Sequence, residues 1–193
     1  MTHATTASRR RPAVLLPAAL LLMAGAGALV ARQAPEGGAP ATPALVHQRQ
    51  PEPGLITGGV PETSTVWEAL ARSGVRLVID LRADQEVGAD ELAAIAAAGL
   101  RREVVTVTGE AELDLPTARA LDALLDAAEG SPTAIVCSSG NRVGALLAVE
   151  GFWLDGLSAE AALERGLAAG MTRLEPSVRQ LLGLPPAPPP PAD

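Results

Sequence analysis

The chain is expected to fold as an α/β domain, a small central parallel sheet of about four strands flanked by helices. Short apolar runs rich in Val and Ile alternate with longer segments of helical periodicity. The helical segments stop on glycines, at Gly74, Gly99, Gly130 and Gly170. Strands separated by helices of this length imply parallel pairing through right-handed crossovers.

The elements follow in order from residue 54. Leu55, Ile56 and Thr57 form a short strand closed by Gly58 and Gly59. Residues 63–73 read as a helix, with Thr63 or Ser64 as N-cap and Val66, Trp67 and Leu70 on one face. Residues 77–81 are a buried strand that runs into a charged loop at 82–86. A second helix covers 90–98, and the valines and threonines of 103–108 predict a strand. Residues 116–129 form an amphipathic helix, with Pro116 in its first turn and Leu121, Leu124, Leu125 and Ala128 on one stripe. A strand at 134–136 follows, then helices over 142–154, from the Ser158 cap to Gly170, and over 176–182.

Four segments are expected along the chain. Arg9, Arg10 and Arg11 precede an uncharged apolar run at 13–31, so residues 1–32 read as a signal peptide or N-terminal membrane anchor. That reading predicts an exported protein, periplasmic or extracellular, with membrane association through this segment. Residues 33–53, rich in Pro, Ala and Gly, read as a flexible linker. Residues 54–183 form the folded domain, and 184–193 a proline-rich tail expected to be disordered.

Composition narrows the function. The formal net charge is −7. Four arginines against Glu36 make the first forty residues +3, which leaves −10 for the rest. An acidic body without aromatic–basic clusters argues against nucleic acid binding. There is no lysine and no tyrosine, one Phe and two Trp, so the core must be built from small aliphatic side chains. One cysteine excludes an internal disulfide. The two histidines, His3 and His47, fall outside the expected domain, leaving no histidine for a metal site or triad, and no cofactor is expected.

The chemistry concentrates in six residues, Cys137-Ser138-Ser139-Gly140-Asn141-Arg142, between the last strand and a helix. A strand passing through a glycine-containing turn into a helix aims several backbone N–H groups and the positive helix end at one point. A thiol there feels the same field, which favours the thiolate. Arg142 supplies a planar fork matched to phosphate oxygens, and Gly140 lets the backbone approach an anion closely. Ser139 or Asn141 is placed to brace the turn. The alternative is an inert buried cysteine beside a solvated arginine.

The run Cys137 to Ala145 resembles the signature loop of the cysteine-dependent tyrosine and dual-specificity phosphatases. It is most similar to the phosphatase-like domain of the beta-lactamase hydrolase-like proteins, whose loop also has four residues between Cys and Arg. Gly54-Leu55-Ile56-Thr57-Gly58-Gly59-Val60-Pro61 and Gly74-Val75-Arg76-Leu77-Val78-Ile79-Asp80-Leu81-Arg82 resemble the same branch, so the likeness runs over residues 54–173.

That resemblance implies a dual-specificity-phosphatase-like fold and a metal-free phosphatase acting on a phosphorylated protein or small molecule, expected as a monomer. Cys137 would attack phosphorus to form a thiophosphoryl-cysteine. Backbone amides of Ser138, Ser139, Gly140, Asn141 and Arg142, with the Arg142 guanidinium, would hold the phosphate. Such enzymes protonate the leaving oxygen with an aspartate from a loop before the signature. Here that loop offers Glu110, Glu112 and Asp114, with Asp84 on a neighbouring loop, and Glu110 is favoured.

Two positions depart from the pattern: Val136 stands where many relatives have histidine, and Val143 where many have Ser or Thr. Two further readings therefore stand beside the phosphatase. One is a rhodanese-like sulfurtransferase with a persulfide on Cys137, compatible with the six-residue loop and with Asp80-Leu81-Arg82. The other is a catalytically weak anion- or phosphate-binding module.

Overall fold

The computed structural model describes residues 44–188. Its strands are β1 (Val46–Glu52), β2 (Leu55–Gly59), β3 (Leu77–Asp80), β4 (Arg101–Val104) and β5 (Thr133–Cys137). The helices are α1 (Thr65–Arg72), α2 (Ala89–Ala97), α3 (Leu115–Ala127), α4 (Asn141–Trp153), α5 (Ala159–Ala168) and α6 (Glu175–Leu181). Short 3-10 turns stand at Asp84–Glu86 and Glu110–Glu112.

The sheet order is β1-β2-β5-β3-β4, with β5 at its centre. β2, β5, β3 and β4 pair in parallel, as their helical crossovers require, and β1 adds an antiparallel edge to β2. This is the expected α/β architecture with one strand more. His47 and Arg49 lie on that strand, within the segment read as linker, so His47 belongs to the folded unit and not outside it. The strand was invisible because VHQRQPE has no apolar alternation. It carries polar side chains along an edge and pairs through irregular register, Val46 with Gly59, Arg49 with Thr57 and Glu52 with Leu55.

The strand expected at 103–108 begins earlier, at Arg101. Beyond Val104 the chain still follows β3, with Val105 N–H donating to Asp80 O at 3.1 Å and Val107 N–H to Leu81 O at 2.9 Å. At the far end, Leu184 is held by its N–H bond to Arg179 O at 2.8 Å and packs against the core. The tail's first residue thus belongs to the packed structure.

Side chains alternate across the pleat and fill two cores. Ile135 and Cys137 of β5 and Ile79 of β3 face a cluster formed with α3, α4, α5 and α6. Ala134, Val136 and Val78 face the opposite layer, where Val66, Trp67 and Leu70 of α1 meet Ile95 of α2. α4 is buried along almost its whole length, which explains its nearly all-apolar sequence. Local signals terminate the helices as expected. Asp114 Oδ1 accepts from Thr117 N–H at 2.9 Å to cap α3, and Ser158 Oγ accepts from Ala161 N–H at 3.2 Å to cap α5.

The exported, periplasmic or extracellular and membrane-held placement is corrected. Among the described residues no helix is long and apolar enough to cross a membrane. The apolar run at 13–31, on which that placement rested, lies outside them.

Candidate active site

Parallel strands end on one edge, and four loops meet there: those following β2, β3, β4 and β5. The loop after β5 lies at the centre because β5 does. Gly59 of β2 makes room for it. A Cβ on Gly59 would stand 2.7 Å from Ser138 O and 2.9 Å from Ser139 Cα, closer than side-chain carbons pack. Gly140, at φ 88°, takes the left-handed conformation that turns the chain into α4.

Cys137 ends β5 fully buried, its side chain in the core beneath the loop. Its Sγ accepts the Gly140 N–H at 3.1 Å, so the loop curls over the sulfur. Val136 and Val143, on either side of the turn, are also fully buried. At Val143 the hydroxyl of the phosphatase pattern is replaced by a methyl group that fills core.

Asn141 braces the turn. Its Oδ1 accepts from Thr172 N–H at 2.9 Å, Thr172 Oγ1 at 3.2 Å and Leu174 N–H at 3.2 Å, tying the loop to the α5–α6 connection. Ser139 enters through its backbone, with His47 Nδ1 within reach of Ser139 O at 3.4 Å.

Arg142 is gripped rather than free. Nη1 donates to Glu86 Oε1 at 3.1 Å and to Val107 O at 2.7 Å. Nη2 donates to Glu86 Oε2 at 2.8 Å and to Ser138 Oγ at 2.6 Å. All four Nη–H donors are engaged, which leaves Nε–H. The Arg142 bonds, with further help from Ala83 N–H and Ser138, pull the Glu86 carboxyl down to about 2. The same pairing raises the Arg142 guanidinium above its ordinary value, against its partial burial.

A pocket of about 650 Å³ opens over this group, lined by Arg142, Ser138, Ser139, Asn141, Glu86 and Glu110 among others. Of the four carboxylates considered as proton donors, Glu110 alone lines it. Glu112 turns back on its own loop, accepting from Gly109 N–H at 2.9 Å and from the Thr108 N–H and hydroxyl. Those bonds lower its pKa, led by Gly109, and the cap bond from Thr117 lowers that of Asp114. Both shifts run opposite to what a proton donor at neutral pH needs. Asp84 is exposed and faces Arg102 at 3.6 Å.

Asp80 and Arg82 are structural. Buried Asp80 accepts from Arg82 Nε and Nη2, both at 2.9 Å, and from Arg102 Nε at 3.0 Å, while Glu91 closes the other side of Arg82. Burial opposes the charge on Arg82, yet these bonds hold it above its usual value.

Sequence reasoning missed Glu86. Its loop follows β3 on the ligand edge, which was the available signal, but only Asp84 was drawn from it. Arg173, on the connection after α5, also lines the pocket and was missed because nothing local marks it.

No family model matches the chain, and no curated protein matches its sequence. Solved structures do. A candidate phosphatase of Neisseria meningitidis is similar at 22% identity, over 69% of this chain and 94% of that one, with a TM-score of 0.57. A DUF442 candidate phosphatase of Shewanella putrefaciens is similar at 20% identity, over 72% and 88%, with a TM-score of 0.55. Kinase associated phosphatase, crystallised with its catalytic-site cysteine changed to serine, is similar at 15% identity, over 75% and 98%, with a TM-score of 0.52. The chain has the fold of the cysteine-dependent, dual-specificity-like phosphatases.

Proposed function

We propose that the protein is a cysteine-dependent phosphatase that hydrolyses a phosphoester through a thiophosphoryl-cysteine. One observation carries this reading. The only thiol, a curled loop of backbone N–H groups and a pre-set arginine meet beneath one pocket. A core cysteine would need none of the other parts.

In the first step the Cys137 thiolate attacks phosphorus, forming the S–P bond as the ester P–O bond breaks. Glu110 gives its proton to the leaving oxygen. Water then attacks phosphorus, the S–P bond breaks, the water's proton returns to Glu110, and inorganic phosphate leaves. Loop N–H groups from Ser138 to Arg142 hold the equatorial oxygens as charge spreads over them. Arg142 meets the phosphate through Nε–H and through the Nη2–H that Ser138 Oγ accepts at rest. Glu86, on the other side of the fork, fixes the guanidinium plane.

Gly140 N–H is the bond the sulfur accepts, and Val143 adds no hydroxyl. Turnover is therefore slower than in an enzyme with a Ser or Thr after the arginine. Hydrolysis of 4-nitrophenyl phosphate tests the proposal: it is abolished in Cys137→Ser and reduced at least a hundredfold in Arg142→Ala. Activity surviving both changes sinks it.

A further inference from the structure

Beside the phosphate pocket lies a second one, of about 400 Å³, on the other side of Ser139. Its walls include His47 and Arg49 from β1, Ser139 from the signature loop, and Met171, Thr172 and Arg173 from the α5–α6 connection. Ser139 and Arg173 line both pockets, so the two are contiguous.

Its charge sets it apart. The chain is acidic, yet no carboxylate is among the residues lining this pocket. Arg82, Arg102, Arg142, Arg165 and Arg179 are each claimed by carboxylates. Arg173 pairs with no carboxylate among the described residues, and Arg49 donates only to the neighbouring Gln48 O, at 3.1 Å. Two guanidinium groups thus share one concave site with the His47 ring and with no carboxylate in its walls, an arrangement suited to receiving an anion. The irregular pairing of β1 contributes to this placement. His47 sits at φ 51° within the register shift between Val46 and Arg49, and its ring reaches Ser139 O of the signature loop at 3.4 Å.

We infer that this pocket is a second anion subsite and that the preferred substrates are organic phosphates carrying a second phosphate or other anionic group. The inference rests on the phosphatase reading for the first subsite. The scissile phosphate occupies the loop beside Arg142, the substrate body crosses Ser139, and the second anion meets Arg49, His47 and Arg173. Arg173, facing both pockets, bridges the two charges.

The test separates binding from turnover. In full-length Cys137→Ser protein, affinities are measured calorimetrically for fructose 1,6-bisphosphate against fructose 6-phosphate. A second pair, 2,3-bisphosphoglycerate against 3-phosphoglycerate, supplies a shorter spacing. At least one bisphosphate is expected to bind about tenfold tighter than its partner, the worth of one charge-assisted contact. Adding Arg49→Ala or Arg173→Ala removes that advantage. In the active protein the ratio of kcat/KM for bisphosphate over 4-nitrophenyl phosphate falls by a similar factor on Arg49→Ala. Equal affinities within both pairs overturn the subsite, as does a preference that survives both arginine changes. If no phosphoester is hydrolysed but the arginine-dependent preference stands, the subsite holds and the phosphatase reading fails. Hydrolysis of the aryl phosphate without any such preference is the reverse outcome and removes the subsite alone.

Discussion

Glu86 holds Arg142 by both Nη groups, at 3.1 and 2.8 Å, across 56 residues of sequence. The guanidinium therefore stands in one plane before any ligand arrives, and ordering it costs nothing at the moment of binding. Glu86→Gln keeps the shape but loses the charge and one acceptor. A roughly tenfold loss in kcat/KM for 4-nitrophenyl phosphate is expected, in line with one charge-assisted bond. Because the carboxyl is drawn from 4.5 to about 2, its contribution to stability is complete above pH 4.5 and disappears as pH falls towards 2. Acid titration of the thermal midpoint should show a shallower loss in that window for the Gln variant. Unchanged kinetics together with an unchanged acid limb would remove the positioning role.

Cys137 is fully buried under its loop, so reagents reach it only when the loop opens. Slow modification by iodoacetamide is expected in the folded protein near neutral pH, and mass spectrometry reads it directly. Inorganic phosphate should slow it further, and Arg142→Ala should abolish that protection. A thiol alkylated only after denaturation would return Cys137 to the inert core and take the phosphatase proposal with it.

Asn141 satisfies two backbone N–H groups and one hydroxyl across 31 to 33 residues. Asn141→Ala takes the acceptor from exposed Thr172 and half-buried Leu174, a loss of about 1–2 kcal/mol. Since the same bonds set the turn, turnover should fall beyond what the stability loss explains. Chemical denaturation and kinetics on the same sample separate the two effects.

Gly144 is where α4 meets α5 and the following connection. A Cβ there would run into Gly166 O and Met171 N, both backbone atoms that cannot rotate away. Gly144→Ala should destabilise by about 3 kcal/mol or more, the upper part of the overpacking range. A variant as stable as wild type would mean that the helix contact is looser than this packing.

One guanidinium, Arg165, serves three carboxylates: Glu52, Glu150 and Asp155. Glu150 is the most buried, and burial with Asp155 nearby pushes its pKa up from 4.5 to about 7 despite Arg165. The folded state then holds a proton that the unfolded chain releases between those values. Stability from this group is full below pH 4.5 and lost as pH rises through 7. The thermal midpoint should decline from pH 5 to 8, and Glu150→Gln should flatten that slope. An identical slope in both proteins would contradict the assignment.

Cys137, Gly140 and Arg142 were legible in the sequence because a strand–turn–helix loop is local, its parts lying within six residues. The helices were legible for the same reason, through caps such as Asp114 and Ser158 and the apolar stripe of α3. The partners of this loop were not. Glu86 reaches Arg142 because β5 inserts beside β3, and His47 reaches Ser139 because β1 adds to the other side of β2. Strand order is settled by which apolar faces the whole chain can bury together, and no segment records it alone. β1 carries the point furthest, since its polar sequence gains strand structure only from the hydrogen bonds β2 offers. The sequence by itself determined the turn from Cys137 to Arg142 and the class of fold. The tertiary structure decided which carboxylate grips the arginine, which one faces the pocket, and where unpaired positive charge gathers, because each depends on contacts between residues far apart in the chain.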